Sequence, residues 1–419
     1  MIDRPLLLEA TRMVATRWTG RSPTGIDRVC DAYARHFGAR AQAVIQHRGV
    51  ARILSPRHTD DLFALLADRA GGFRRRFAAF APRAWAAARS RVDGQGAFYL
   101  NVSHTDYDLP SHERWLQACR LRPVYLVHDL IPITHPEYCR PRAVARHRGR
   151  VVNALRMASG IIANSGATAS DLERFAAEQG LPMPPVAIAP LAGADLVPTR
   201  ADDPGEARPY FLCLGTIEAR KNHQLLLQVW RHLIEQAAEN ALHLVPHLVI
   251  VGQWGSGSGP VREMLQRSPS LRRHVSVIGG CDDAAVSRWL SGAEALLLPT
   301  LAEGFGLPLI EALALGTPVI ASDLPSFHES GQGIPSLLDP FDTAAWARAI
   351  SGFSEPGGER ERQHSLLAHY RPPVWDTHFM TIEQWLASLP RQPEARTAQR
   401  FSSGTRPAGA NLRMTEARA

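Results

Sequence analysis

Apolar residues along the chain follow two rhythms that alternate. Short, nearly continuous apolar runs end in small or polar turn residues: AFYLNVS (97–103), PVYLVHD (123–129) and GIIANS (160–165) in the first half. The second half has YFLCLGT (210–216), HLVIVG (247–252), VSVIGG (275–280), ALLLPT (295–300) and PVIASD (318–323). Runs of this length and composition predict strands buried on both faces. Between them, spacing of three and four predicts helices over 26–37, 60–68, 112–119, 141–158 and 168–178, then near 222–238, 260–267, 283–291, 308–315 and 343–352. Strand and helix in strict alternation imply parallel sheets with helices on both faces. The expected class is α/β, with two doubly wound, Rossmann-like domains.

A length of 419 residues also argues for two domains, because one core rarely grows past about 250 residues. The expected division is an N-terminal domain over 1–195, a linker rich in Pro, Asp and Gly over 196–209, a second domain over 210–370, a last helix within 371–390, and a polar, disordered tail over 391–419. A hydrophobic fraction of 45% with 21% charged residues is globular composition. Asp3 and Glu9 flank the first leucine run, so the N-terminus does not read as a secretory signal, and no apolar stretch of about 20 residues predicts a spanning helix. Five scattered cysteines with no CxxC spacing point to neither a disulfide framework nor a zinc knuckle. They fit a reducing, cytoplasmic location.

Charge changes this picture locally. The formal net charge is +7, and no acidic residue lies between Asp68 and Asp93. That interval holds Arg69, Arg74, Arg75, Arg76, Arg83, Arg89 and Arg91, so the whole excess sits in residues 69–92. Phe73, Phe77 and Phe80 share one helical face there, and Pro82 is expected to end or kink the helix. Two readings stay open: a packed helix with a solvated arginine face, or a basic amphipathic helix lying on an anionic membrane surface on the inner side of the cytoplasmic membrane. No RNP, zinc-finger or helix-turn-helix pattern points to nucleic acid. The chain contains one lysine, Lys221, against an otherwise all-arginine complement.

Ligands in open α/β sheets bind beyond the C-terminal ends of the strands, so motifs immediately after strands carry the most weight. After 295–300 comes LAEGFGLPLIEALALGTPV, in which Glu303 and Glu311 form an E-x7-E pair. Pro308 suits the first turn of the following helix, and Glu311 falls near its positive end. Carboxylates can accept from two vicinal hydroxyls at once. Gly304, Phe305 and Gly306 allow backbone amides to approach a ligand closely. After 210–216, the turn at Gly215 leads to Arg220 and Lys221 beside a helix start, with Asn222 as the expected N-cap. Two cations there suit a diphosphate.

Together, GTIEARKN (215–222) and EGFGLPLIEALALGTPVIASD (303–323) resemble the retaining glycosyltransferases of family 4, which have the GT-B architecture of two domains facing a central cleft. The resemblance extends more thinly through TGIDRV (24–29), NVSH (101–104), HDLIPITHPEY (128–138) and ANS (163–165). It implies a nucleotide-diphosphate sugar as co-substrate, GDP-mannose or a UDP-hexose, and no further cofactor. Arg220 and Lys221 would clamp the diphosphate, and Gly215 would line the donor. Glu303 would contact the transferred sugar, aided by the amides around Gly304, Phe305, Gly306 and Leu307, and Glu311 the ribose. His128 would touch the donor sugar from across the cleft. Gly25, His104, Asp106 and Asp129 would face a saccharide or lipid-linked saccharide acceptor, as in bacterial surface polysaccharide synthesis. The last helix would cross back onto the first domain. The family retains anomeric configuration, with the leaving diphosphate assisting deprotonation of the acceptor.

Other classes fit less well. VIVGQWGSGSG (249–259) lacks the G-x-G-x-x-G spacing of a dehydrogenase. Asp106 and Asp108 have the spacing of a metal-binding Asp-x-Asp pair, but read as a loop facing the acceptor, and no metal site is expected. A sugar-nucleotide epimerase of the same fold and a non-catalytic glycan-assembly protein are the remaining alternatives.

Overall fold

A computed structural model describes residues 4–21, 23–68, 71–197, 209–240, 245–353 and 355–390. Most of the expected linker, the tail over 391–419 and Arg69 lie outside these described residues.

The first sheet has seven strands: β1 (Leu6–Glu9), β2 (Ala41–His47), β3 (Val50–Ile53), β4 (Phe98–Asn101), β5 (Arg122–Val127), β6 (Gly160–Ala163) and β7 (Val186–Ile188). Their order is β3-β2-β1-β4-β5-β6-β7, all parallel except β3, which returns antiparallel to β2. The second sheet has six parallel strands: β8 (Tyr210–Leu214), β9 (His247–Val251), β10 (Val275–Ile278), β11 (Leu296–Leu298), β12 (Val319–Ser322) and β13 (Ser336–Leu338), in the order β10-β9-β8-β11-β12-β13. In each sheet the winding reverses beside the first strand, between β1 and β4 and between β8 and β11. Loops leave these switch points in opposite directions and open a crevice.

Residues alternate between two packed faces, so the strands are mainly apolar, with Glu9, Gln42, Gln46, Asn101, Arg122 and His247 among the buried exceptions. Leu7 and Tyr99 pack under Trp115, while Leu8, Leu100 and Leu126 face the helix Gly25–Phe37. In the second sheet Phe211, Ile250 and Leu297 pack on the fully buried Trp230 and Trp346. Leu212, Val249 and Leu298 turn to the side of the helix Leu307–Ala314.

β1, β2, β3, β7 and β13 go beyond the strands expected from sequence. The pattern LLLE of β1 is only four residues long, too short for a periodicity argument, yet it becomes the switch-point strand because β2 and β4 both pair with it.

The helix Phe73–Ala87 runs through Pro82 rather than ending there. Proline removes one N–H, but Pro82 and Ala78, four residues back, are both exposed, so the freed carbonyl meets water. Phe73 is buried and stacks on Phe77 at 5.5 Å, and Phe77 meets Trp18 at 6.0 Å. Phe73 is thus packed, Phe77 and Phe80 are half-buried and Trp85 is exposed, while arginines 74, 75, 76 and 83 form an exposed face. No helix among the described residues is long and apolar enough to cross a membrane.

The helix Trp375–Ser388 lies on the first domain. His378 donates through Nδ1 towards the carbonyls of Ala189 (3.2 Å) and Pro190 (3.0 Å) and accepts at Nε2 from the Tyr33 hydroxyl (3.1 Å). Burial pushes its pKa down to about 4. An unfolded histidine titrates near 6.5. The folded chain therefore refuses a proton that the unfolded chain accepts, and stability is lost as pH falls from about 6.5 towards 4. The expected result is a Tm that drops more steeply between pH 7 and pH 5 in the wild type than in His378→Gln. Equal slopes would remove His378 from the acid response.

Candidate active site

The second sheet's switch point holds most of the expected donor residues. β8 and β11 are neighbours, so the loops leaving their C-terminal ends start side by side and then diverge. After β8, Gly215 leads into a 3₁₀ turn, Ala219–Lys221. The turn is stitched to the loop after β11. The Leu301 amide donates to the Arg220 carbonyl (2.8 Å), as does the Thr300 hydroxyl (3.1 Å). Arg220 Nη1 in turn donates to the carbonyl of Ala302 (3.1 Å). Asn222 takes a left-handed conformation (φ 53°), and its side-chain amide donates to the Pro340 carbonyl (2.9 Å). It closes the 3₁₀ turn and braces a loop, instead of capping the helix His223–Asn240.

This stitching brings Arg220 and Lys221 onto one carboxylate. Arg220 Nη1 lies 3.1 Å from Glu303 Oε2, Lys221 Nζ pairs with the same oxygen, and Arg220 Nε pairs with Glu218 (2.8 Å). Burial alone would raise the Glu303 pKa, but the two cations outweigh it and hold it at about 2. Burial likewise works against the Arg220 charge, and Glu303, Glu218 and Asp129 overcome it, raising its pKa. With Glu218 and Glu303 both paired, the two cations are balanced, and the cluster gains net positive charge only when Glu303 is engaged elsewhere.

Gly306 starts the helix Leu307–Ala314 in a left-handed conformation (φ 93°). A side chain there would be strained and would meet the Phe327 ring at 2.5 Å. Gly304 is required by close approach: an added Cβ would lie 2.3 Å from the His128 carbonyl. The first domain presses on this loop. Ser165 Oγ and Thr168 Oγ1 both donate to the Gly304 carbonyl (2.8 and 3.3 Å).

Glu311, one helical turn further in, is buried. Its Oε1 accepts from Arg28 Nη1 (2.7 Å) and from the Ala194 amide (3.0 Å). Burial raises its pKa, with Arg28 opposing. Arg28 also pairs with Asp283. Sequence reasoning did not single out Arg28, although it lies inside the quoted segment TGIDRV; its signal was its place three residues after Gly25. The helix Gly25–Phe37 is closed at its start by a capping box between Thr24 and Asp27. Burial raises the Asp27 pKa, but Arg12 and Thr24 outweigh it and the net shift is downward.

On the opposite wall, His128 donates through Nε2 to the Val102 carbonyl (2.9 Å), and burial pushes its pKa down to about 4. It is neutral at physiological pH. Asp129 Oδ1 accepts from the Ile131 amide (3.1 Å).

One cavity of about 550 Å³ is bounded by Gly25, His128, Asp129, Gly215, Arg220, Lys221, Glu303, Gly304, Phe305, Gly306, Leu307 and Glu311. Its size falls within that of small-molecule pockets. Arg12, Arg28, Asn164, Glu218 and Gln253 join the lining. His104 and Asp106 do not. His104 is buried behind the wall, its ring 5.0 Å from that of His128. Asp106 accepts from the Gly49 amide (3.2 Å) and faces Arg146 (3.5 Å), and Asp108 pairs with Arg146 (3.0 Å) and Arg150 (3.2 Å). The Asp-x-Asp spacing thus serves arginine pairing in a loop outside the cavity.

A family profile for glycosyl transferases group 1 matches residues 208–355, the stretch that contains both site motifs. This stretch belongs to the glycosyl transferases group 1 family. It is 29% identical over 224 residues to the serotype-specific mannosyltransferase WbdA of Escherichia coli, which covers 50% of this chain and 27% of that protein. It is 25% identical over 290 residues to the D-inositol 3-phosphate glycosyltransferase of Xylanimonas cellulosilytica, covering 63% of this chain and 66% of that one. The chain therefore spans only about a quarter of the length of WbdA. In fold it is similar to Anabaena HepE, solved in complex with UDP and glucose, with a TM-score of 0.62 at 16% identity over 92% of this chain and 99% of that one. That likeness establishes the GT-B arrangement of the two sheets.

Proposed function

We propose that this glycosyl transferases group 1 member is a retaining hexosyltransferase that uses a nucleotide-diphosphate sugar, with mannose from GDP-mannose as the first candidate and a UDP-hexose as the second. The observation that carries the reading is the convergence of Arg220 and Lys221 on Glu303, with Glu311 in the same cavity. A diphosphate matches the two cations, and the amide-rich start of the helix Leu307–Ala314 adds further N–H donors. Glu303 then accepts from hydroxyls of the transferred sugar, and Glu311 from the ribose hydroxyls once Arg28 gives way. In the reaction, the bond from the anomeric carbon to the diphosphate oxygen breaks while the acceptor oxygen bonds to that carbon. The acceptor proton passes to the departing diphosphate. Arg220 and Lys221 stabilise the charge that develops there. The neutral, backbone-tied His128 serves as a hydrogen-bonding wall rather than a charged acid.

Similarity to WbdA, a serotype-specific mannosyltransferase, supports mannose as the transferred sugar. The exposed arginines of the helix Phe73–Ala87, with Trp85 exposed beside them, support contact with anionic lipid.

The test is calorimetric titration of the purified chain with GDP-mannose, UDP-glucose and UDP-N-acetylglucosamine. One of them is expected to bind within about 1 μM–1 mM, the usual substrate range. Absence of binding by all three would overturn the donor reading.

A further inference from the structure

The loop that leaves β4 holds two non-glycine residues in the left-handed region, His104 (φ 65°) and Asp106 (φ 53°). That conformation is strained for a residue with a side chain and persists only where the surroundings fix it. His104 carries a second cost: its ring is buried, and Nε2 has no hydrogen-bond partner. We propose that His104 is a positioning residue whose ring edge holds the His128 imidazole in one orientation and one tautomer at the cavity wall; the proposal rests on the reading above, in which His128 faces the transferred sugar.

Contact comes first. The His104 ring lies 5.0 Å from that of His128, 5.5 Å from that of His147 and 5.9 Å from that of Tyr107, edge to face each time. Hydrogen bonds pin the backbone beneath His128. Its carbonyl accepts from Asn164 Nδ2 (2.9 Å), and the Asp129 carbonyl accepts from His147 Nε2 (3.0 Å). The His128 ring is tied at Nε2, to the Val102 carbonyl (2.9 Å). A tie at one nitrogen leaves the ring free to turn about its outer torsion, which has no sharp staggered minima. His104 supplies the missing restraint by packing against both His128 and His147. With the proton kept on Nε2, Nδ1 of the neutral ring is left as an acceptor for a sugar hydroxyl.

The loop is built to hold this ring in place. Asn101 Nδ2 donates to the Thr105 carbonyl (2.9 Å), and Ser103 Oγ meets Thr105 Oγ1 (2.7 Å) and donates to the buried Glu9 carboxylate. Asp106 accepts from the Gly49 amide (3.2 Å). The residue type follows as well. With Nε2 unpaired the ring acts by its shape, but histidine tolerates the left-handed backbone better than a bulky hydrocarbon ring does. Around the three histidines stand Asp129 after β5, Arg150 on the helix Pro141–Met157, Arg12 on the helix Thr11–Thr19, and Tyr107. Burial, helped by the arginines, holds all three rings below the usual histidine value, and Asp129 opposes this at His128 and His147 without prevailing. The trio is therefore neutral near pH 7.

The test reads His128 directly. Full-length protein with isotope-labelled histidine is followed by long-range proton–nitrogen NMR between pH 8 and pH 5, the His128 signal being assigned by its loss in His128→Ala. In the wild type His128 is expected to keep its proton on Nε2 and to stay neutral across this range. His104→Asn keeps a residue suited to the left-handed backbone but removes the ring. There both tautomers are expected, and the His128 midpoint rises into the measured range, towards the ordinary value of about 6.5, as water reaches it. Hydrolysis of whichever donor binds in the titration is expected to fall about tenfold, with the donor Kd unchanged. His104→Phe restores a ring edge and is expected to return both readouts. Where His104→Asn does not fold, His104→Gln takes its place. An unchanged tautomer and titration of His128 in the ring-less variant overturns the positioning role, and so does a folded His104→Phe protein that matches it. The NMR readout needs no donor, so it decides the positioning even if none binds. A His128 ring that shifts as expected, with wild-type hydrolysis in both the ring-less variant and His128→Ala, is a different result: it upholds the positioning and overturns the contact between His128 and the sugar.

Discussion

Lys221→Ala is expected to lower kcat for transfer by about 10²–10³-fold, the cost of removing one group aimed at charge that develops in the transition state. The reason is geometric. Lys221 sits at the end of a 3₁₀ turn fastened to the loop after β11, so its ammonium is held in place before the donor arrives and needs no reorganisation during transfer. Arg220 remains in the variant and still pairs with Glu218 and Glu303, which keeps the carboxylate neutralised and the fold intact. Lys221→Arg is expected to recover only part of the activity. A guanidinium is larger and planar, and it cannot present the same compact charge in a position already crowded by Arg220. Single-turnover rates at saturating donor check both variants, with circular dichroism to confirm folding. Wild-type turnover in Lys221→Ala would remove this residue from the reaction.

Glu303→Gln separates binding from chemistry, and the expected result is loss of transfer by about 10²-fold or more with nucleoside diphosphate affinity equal to or tighter than wild type. In the ligand-free protein Glu303 already satisfies both cations, so it competes with a diphosphate for them. The amide keeps the shape but gives up the charge, leaving Arg220 and Lys221 free for the diphosphate while weakening the hold on the transferred sugar. The same substitution changes the acid response. The pKa of Glu303 is depressed to about 2 in the folded protein, so its pairing stabilises the fold above its unfolded value and is lost as pH falls from about 4.5 through about 2. At one pKa unit per 1.36 kcal/mol this is on the order of 3 kcal/mol. Glu303→Gln should lack that portion of the decline. Calorimetry with GDP and UDP, together with Tm measured between pH 6 and pH 3, checks both parts. A variant that loses diphosphate binding along with transfer would contradict the competition.

The strands that carry the proposed donor site were legible because each is a buried apolar run ending in a distinctive loop. YFLCLGT and ALLLPT announce themselves by composition alone, and so do the charged residues that follow them. The parts that escaped are of two kinds. The seven-residue β2 is interrupted by Gln42, Gln46 and His47, while β1, β3, β7 and β13 are three or four residues long, and a strand that short has no periodicity of its own; it is defined by the neighbours that complete its hydrogen bonds. The second kind is partnership. Asp106 has the spacing of a ligand-binding carboxylate, but helix Pro141–Met157 brings Arg146 to it from forty residues away. Phe73, Phe77 and Phe80 read equally well as a membrane face or a core face; Phe73 packs under Arg17 and beside Phe77, which meets the half-exposed Trp18, a contact that only the fold supplies.

Local sequence therefore determined the α/β alternation, the two switch-point motifs and the identity of the cations and carboxylates in them, because apolar runs, turn glycines and helix starts act over a few residues. Tertiary structure alone decided that Arg220 and Lys221 close on Glu303, that Arg28 reaches Glu311 across 283 positions of chain, and that the His104 ring meets those of His128 and His147. Those outcomes depend on which strands become neighbours and how the two sheets face each other, and long-range packing sets both.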